Sequence, residues 1–470
     1  MMRFRPPNFT WSWGLPSTCI LFFVVSCAPF PFGSTNDISI AFWCFCLGAA
    51  LIFAPTQYVR RQHAWLIAGI VVIVITYAVV LHEQVSDHPW MAPFHPIWQK
   101  ASDLLGVPLT PSASIAKNQA FFAIGAPLAN ILSILLGTVI GANRLQAKRI
   151  LWVIAISGSI YAVYGVVSFL AEPTLILWRD KKAYFGSVTG TFINRNTAAA
   201  YFGSCTLIWI LLILERVRRH LPERKIEWGR LLTSIPKIPS IEFVPQLFGA
   251  LVCLMAMFMT TSRAGVGLSL ATMIVALTIY LRRDLPPRIG IMVSLALGII
   301  VALGLLQLFG GRVSSRFDSQ GLVDEGRLEA WKSTIRIALN NPWFGTGMGT
   351  FQWAFPAYRS DSVSISGIWD IAHSTPLEIA SEMGLPAATL IALAWIVMLL
   401  VLLRGVVNRR RDVAIPLAAA AIASLSLSHS CIDFTLQIPG FSIPMFALMG
   451  AGLAQSFRTR GPSGVAGGRR

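Results

Sequence analysis

Residues 369–384 read WDIAHSTPLEIASEMG, and residues 385–403 continue as LPAATLIALAWIVMLLVLL. The second stretch carries no charge and is long enough to cross a bilayer as a helix, which takes about 20 apolar residues. The first places His373, Glu378 and Glu382 at the lip of that span. Similar runs recur on both sides of it, at roughly 15–31, 38–55, 64–82, 119–141, 150–171, 196–214, 243–260, 264–281, 289–310, 386–403, 413–429 and 440–456. The chain therefore reads as an all-α polytopic membrane protein with about twelve transmembrane helices. A β-barrel would show short alternating segments instead. Composition agrees: 55% of the 470 residues are hydrophobic, 13% are charged, and the mean hydropathy is +0.64, against about a quarter charged in a soluble domain.

An even number of spans puts both termini on one side. If that side is the cytoplasm, its loops and tails hold 25 of the 38 Lys and Arg but 6 of the 21 Asp and Glu. That is the positive-inside pattern. It accounts for the net charge of +17 without a nucleic-acid partner. The organisation expected is spans one to nine over residues 1–310, an outer loop over 311–385, spans ten to twelve over 386–456, and a basic cytoplasmic tail over 457–470. Cys19, Cys27, Cys44, Cys46, Cys205, Cys253 and Cys431 all fall within or at the ends of spans, with neither a disulfide framework nor zinc spacing. The VVSC ending at Cys27 has the form of a lipoprotein cleavage box, but an uncleaved first span is the better reading.

Four outer segments stand out. Residues 83–118, bordered by His82, carry His88, Trp90, His95 and Trp98, a composition suited to the headgroup zone. Residues 172–195 form a second loop, and a tight turn at TTSR joins spans seven and eight. In the long 311–385 loop, Leu328, Trp331, Ile335 and Leu339 recur at helical spacing. The spacing predicts a helix over about 325–340, with Asp324 as its N-cap and Asn340-Asn341-Pro342 as its stop. One apolar stripe beside Arg327, Lys332 and Arg336 suits a helix lying in the membrane interface. GTGMGTF follows as a turn; it lacks the Lys-Ser/Thr of a phosphate loop.

Arg195, Arg263, Arg312 and Arg327 sit close to span ends on the outer side, joined by His373 and Glu378. Arginine stays charged and grips phosphate oxygens with paired hydrogen bonds, so such a cluster suits a lipid-linked phosphate or diphosphate. The competing reading is snorkelling to headgroups, which is preferred for Arg312, Arg316 and Arg359. Arg263 lies between two spans with almost no loop, where its charge has little room to leave. Asn194, Arg195 and Asn196 stand at a helix N-terminus, where the dipole favours an anion; an ordinary cap with a boundary charge fits equally well. His373 could take a proton from a sugar hydroxyl. In a helix it would share a face with Leu377, with Glu378 a little around it. Glu378 or Glu382 would orient the imidazole or act as the base; a plain loop histidine is the alternative. His429 and Asp433, four apart, form either a structural pair or a second catalytic one.

AHSTPLEIASEMGLP, with TFINRNTAAAYF, TTSRAG, GRLEAWKSTIRIALNNPWFGTGMGTF and HSCIDFTLQIPGF, resembles the motifs of the O-antigen ligase and polymerase family in their order, over about residues 185–440. The first 180 residues share only hydrophobic spans. Ser374, Pro376 and Ala264 are mild departures. The resemblance implies a twelve-span, GT-C-like fold in the bacterial inner membrane with both termini cytoplasmic and one large periplasmic loop. It implies an inverting glycosyltransferase that needs no metal, no other cofactor and no nucleotide sugar. The implied donor is a glycan on undecaprenyl diphosphate, and the acceptor is lipid A-core or a growing polysaccharide. Arg195, Asn196, Arg263 and Arg327 become substrate-binding candidates, with His373 and Glu378 as catalytic candidates. A ligase is the leading expectation and a polymerase of the same family the first alternative. A secondary transporter or lipid flippase is the alternative from another class, though its essential charges would lie at mid-span.

Overall fold

The computed structural model describes residues 14–220, 240–282, 325–361, 363, 369–409 and 412–457, with a few single residues between 292 and 299. Most of the ninth expected span, Asp324, Arg312, Arg316, most of the basic loop between spans six and seven, and the tail beyond Phe457 lie outside the described residues.

Sixteen helices follow one another among the described residues: α1 Leu15–Cys27, α2 Asp37–Ile52, α3 Arg61–Val85, α4 Ile97–Leu105, α5 Gln119–Ala123, α6 Gly125–Gly141, α7 Arg144–Ala171, α8 Arg195–His220, α9 Ser240–Met259, α10 Arg263–Leu281, α11 Glu325–Asn340, α12 Phe351–Ala354, α13 Thr375–Met383, α14 Leu385–Asn408, α15 Ala414–Ser430 and α16 Pro439–Ala454. A two-residue hairpin, β1 Leu175–Ile176 and β2 Arg179–Asp180, pairs antiparallel between α7 and α8. Among the described residues, six helices are long and apolar enough to cross a membrane: α3, Gln119–Gly141, α7, Arg195–Arg219 of α8, α10 and α14. The chain is a multi-pass membrane protein. Five shorter apolar helices, α1, α2, Phe243–Met259 of α9, α15 and α16, overlie further expected spans.

Apolar helices of this kind separate by what they face. In α8, 83% of the apolar window is buried, whereas in α3 the figure is 11%. The first is central and the second is left to lipid. Hydrophobicity cannot drive helices together inside lipid, so small residues and close packing must. At Gly137 of α6, a Cβ would stand 2.2 Å from the carbonyl oxygen of Ala447 in α16. Only glycine lets these two backbones meet.

The bundle has two polar ends. At one, Asp412 pairs with Arg144 and with Lys148 at 2.5 Å, while Glu215 joins Lys148 and Arg219, each at 2.9 Å. At the other end lie the starts of α8, α10 and α16 and the whole of α11–α13. Gln84 in the last turn of α3 ties this end together. It donates to the carbonyls of Phe344 (2.7 Å) and Glu382 (2.8 Å) and accepts the Met348 N–H (2.9 Å). The glycine-rich turn is thus a splice between α3 and α13. Gly345 has φ +66°, and a Cβ there would lie 2.2 Å from the carbonyl carbon of Glu382, so glycine is required twice over.

Helix α11 occupies the residues expected of it. It buries Ala330, Ser333, Thr334 and Ile337, packs on α13, and leaves Leu328, Ile335 and Leu339 exposed. Apart from Ile337 the buried residues are small, and Leu328, Ile335 and Leu339 face outward.

Candidate functional site

Helix α13 begins at Thr375, preceded by Ser374 in extended backbone and with Pro376 in its first turn, a position where proline's missing N–H costs nothing. His373 therefore lies outside the helix, at φ +52°. The expectation that it shares a helical face with Leu377 is corrected for that reason. A non-glycine residue held in this region costs about 1–3 kcal/mol and needs support from its surroundings. The support is visible: the His373 carbonyl accepts the Trp331 indole N–H at 3.3 Å. The imidazole stands edge-on between Trp369 and Phe434, with ring centroids 5.7 and 5.2 Å away.

The nearest carboxylate to that imidazole is Asp433. Its Oδ1 lies 3.9 Å from His373 Nδ1, which is buried and makes no hydrogen bond. Asp433 Oδ1 accepts the Phe434 N–H at 2.8 Å, and Oδ2 accepts the Asn196 amide at 2.6 Å. Asn196 in turn accepts the Ser262 hydroxyl at 2.8 Å, and Ser262 Oγ caps α10 by accepting the Gly265 N–H at 3.2 Å. A chain of contacts thus runs from the start of α10, through the start of α8, to the carboxylate facing His373. Burial works to raise the Asp433 carboxyl. The neighbouring His373 imidazole and the charges of His429 and Arg327 outweigh it and hold the group below the usual carboxylate range.

The arginines converge on the same end. Arg327 of α11 donates to the Ile432 carbonyl at 3.1 Å, beside Asp433. Arg195, the first residue of α8, reaches Thr261 Oγ1 at 3.5 Å and lies over the Tyr184 ring at 4.9 Å. Arg263 is the first residue of α10, one position beyond the Ser262 cap and half-buried. Two arginines therefore mark two adjacent helix N-termini, where the backbone also favours negative charge.

The two glutamates of α13 point at backbone N–H groups. Glu382 accepts those of Gly349 and Phe351, each at 2.8 Å, and so caps α12. Glu378 accepts that of Ala372 at 2.8 Å and fixes the residue before His373. Burial, and then the charge of Glu382, push the Glu378 carboxyl up to about 8. Burial pushes Glu382 up to about 7.

His429 and Asp433 do not form a helical pair, because α15 ends at Ser430. His429 Nδ1 instead meets Thr435 Oγ1 at 2.6 Å. Sequence reasoning noticed Asp433 but paired it with His429 and not with His373, and it gave no site role to Ser262 or to the Trp331 indole. The local signal for Ser262 was its place before Arg263 as a helix cap. Among the described residues, no group of three or more His, Cys, Asp or Glu is arranged to hold a metal ion.

Compared with known families, residues 248–392 fit the family model for O-antigen ligase. No curated protein matches the chain. The matched segment contains Arg263, Arg327, His373 and Glu378. Arg195, Asn196 and Asp433 lie outside it and are brought to it by the fold.

Proposed function

We propose that this chain, whose residues 248–392 fit the family model for O-antigen ligase, is a glycosyltransferase that moves a glycan from undecaprenyl diphosphate to lipid A-core at the periplasmic face of the bacterial inner membrane. The observation that carries this reading is the His373–Asp433 pair, standing at the end of the bundle where α8, α10 and α11 each bring an arginine.

In the proposed step the acceptor hydroxyl gives its proton to His373 Nε2 as its oxygen attacks the anomeric carbon. The bond from that carbon to the diphosphate oxygen breaks, and its electron pair leaves with undecaprenyl diphosphate. A single displacement inverts the anomeric centre. Asp433 stabilises the imidazolium that forms; its 3.9 Å approach needs to shorten by about 1 Å to become a hydrogen bond, as catalytic contacts often do when substrate binds. Arg195, Arg263 and Arg327 hold the diphosphate and stabilise the charge that grows on it. Asn196, whose amide is spent on Asp433 and Ser262, positions Asp433 rather than the donor. Glu378 holds the loop that carries His373. The step calls on side chains alone, because the activated diphosphate linkage supplies the driving force.

The test uses purified protein in lipid nanodiscs with an undecaprenyl diphosphate-linked oligosaccharide, with and without lipid A-core, and with His373→Ala alongside. Glycan on lipid A-core, lost in the variant, is the expected result. A ladder of longer carrier-linked chains would identify a polymerase, which uses the same donor and a different acceptor. No product with either acceptor, and a variant indistinguishable from the parent, would overturn the transferase reading.

A further inference from the structure

The segment between α3 and α5 is not used by the proposed reaction, yet it is closely built. Helix α4 has Ile97, Ala101, Leu104 and Leu105 on one side at i, i+4, i+7 and i+8, and Gln99 and Asp103 on the other, bonded to each other at 2.9 Å. Gly106 ends it in a left-handed turn. A helix of this pattern normally buries its apolar side. Here Leu104 is 88% exposed and Leu105 66%. Contact with the rest of the chain is made instead through Trp98, whose indole donates to the Ser114 carbonyl at 2.9 Å, and through Ser102, which accepts the Leu109 N–H at 3.0 Å.

The height of this helix is fixed by its anchors. Glu83, two residues before the end of α3, accepts the N–H groups of Trp90, Met91 and Ala92 at 3.1, 2.9 and 2.8 Å. Ser112, on the far side of α4, donates to the Gln84 carbonyl at 2.8 Å. Trp90 stacks on His82, inside the last turn of α3, with ring centroids 3.9 Å apart, and is 70% exposed. Both ends of the segment are thus held at the last turn of a helix whose own apolar face is left to lipid. Trp90 and Met91 before α4, and Phe121 and Phe122 of α5 after it, are exposed as well.

We propose that α4 lies flat in the bilayer interface at the end of the bundle that carries His373, with Ile97, Leu104 and Leu105 inserted among phospholipid acyl chains. The anchoring of both ends of the segment at the last turn of α3, whose apolar length is left to lipid, decides the occupant. Gln99 and Asp103 face water, and Lys100 at the margin can extend to the headgroups. The seat has a consequence for the site. Ile115 donates to the Thr346 carbonyl at 2.9 Å, and Thr346 donates to the Ser381 carbonyl at 2.9 Å. The α4 segment, the glycine-rich turn and α13 therefore form one connected block, and the lipid contact of α4 sets the height of α13 above the acyl layer. This inference stands whether or not the chain transfers a glycan.

The experiment places the photocrosslinker p-benzoylphenylalanine at Leu104, Leu105 or Gln99 of the full chain in phosphatidylethanolamine–phosphatidylglycerol nanodiscs and reads adducts by mass spectrometry. Phospholipid adducts at positions 104 and 105, several-fold above those at 99, are expected. Adducts joining position 104 to this chain or to a second copy would overturn the proposal by showing the face covered with protein. Absence of lipid adducts at 104 and 105, or equal yields at all three positions, would overturn it as well.

Discussion

The two polar ends of the bundle treat charge in opposite ways. At the Asp412 end, each acid has basic partners within ion-pair distance: Asp412 has Arg144 and Lys148, and Glu215 has Lys148 and Arg219. Burial pushes the Asp412 carboxyl up, but Lys148, Glu215 and Arg144 together bring it below its usual range. At the His373 end, the imidazole and its carboxylate stop 3.9 Å apart, and Glu378 and Glu382 are raised rather than lowered. The first end is closed upon itself. The second holds a histidine and a carboxylate short of contact and two carboxyls that keep their protons, which supports its proposal as the site.

The contrast can be broken by substitution. His373→Ala is expected to lower glycan transfer by about 10²–10⁴-fold, the usual contribution of a general base, measured as turnover per folded molecule. Asp412→Asn, at the opposite end, should leave that turnover unchanged and instead lower the thermal midpoint. It should also reduce the loss of stability in acid, because a depressed carboxyl stabilises the fold above its ordinary range and loses that contribution as pH falls. A transfer defect in Asp412→Asn as large as in His373→Ala would erase the distinction between the ends. Asp433→Asn keeps the shape and removes the charge facing the imidazole. Turnover should fall on the order of 10²-fold with little change in donor KM, since the interaction matters when the imidazolium forms. Arg327→Ala should act mainly through the donor, raising its KM about 10-fold for a lost charge-assisted contact.

The smaller effects sharpen the comparison through stability. Gly345→Ala forces a side chain into a φ of +66° against the Glu382 backbone, and a clear drop in thermal midpoint is expected; an unchanged midpoint would mean that the turn is not a splice between α3 and α13. Glu378 keeps its proton up to about pH 8, against an ordinary value of 4.5. The folded state therefore binds more protons than the unfolded one between these values. Its contribution to stability is complete below about pH 4.5 and is lost as pH rises through about 8. Glu378→Gln, whose amide oxygen can still accept the Ala372 N–H, should flatten the thermal midpoint over that window. A slope identical to the parent's would place the titration on another group.

What was legible in the sequence followed from short-range patterns. The 3-4-4 spacing of Leu328, Trp331, Ile335 and Leu339 marked α11 at its observed residues. The apolar runs marked the helices because a membrane-crossing helix needs continuous hydrophobicity and little else. The same reasoning failed at His429 and Asp433, whose i, i+4 spacing implied a shared face. The helix stops at Ser430, and Asp433 turns to a histidine sixty residues earlier. It failed again at His373 and Leu377, because Pro376 and Ser374 start a helix that excludes His373. The outward stripe of α11 was read correctly as apolar, yet of the residues it buries, Ala330, Ser333, Thr334 and Ile337, only Ile337 carries a strong hydrophobic signal.

The sequence by itself determined that this chain is a multi-pass helical membrane protein, which residues stand at the lips of its helices, and that arginine, histidine and acid are concentrated there. These properties depend on composition and on neighbours within a turn or two. Only the tertiary structure decided that Asp433 faces His373, that Asn196 and Ser262 hold it, and that Glu378 and Glu382 are turned to backbone N–H groups. Those pairings join residues up to 237 positions apart. They arise where helix ends meet, and the meeting is set by the close approach of small residues between helices, which leaves no period in the sequence.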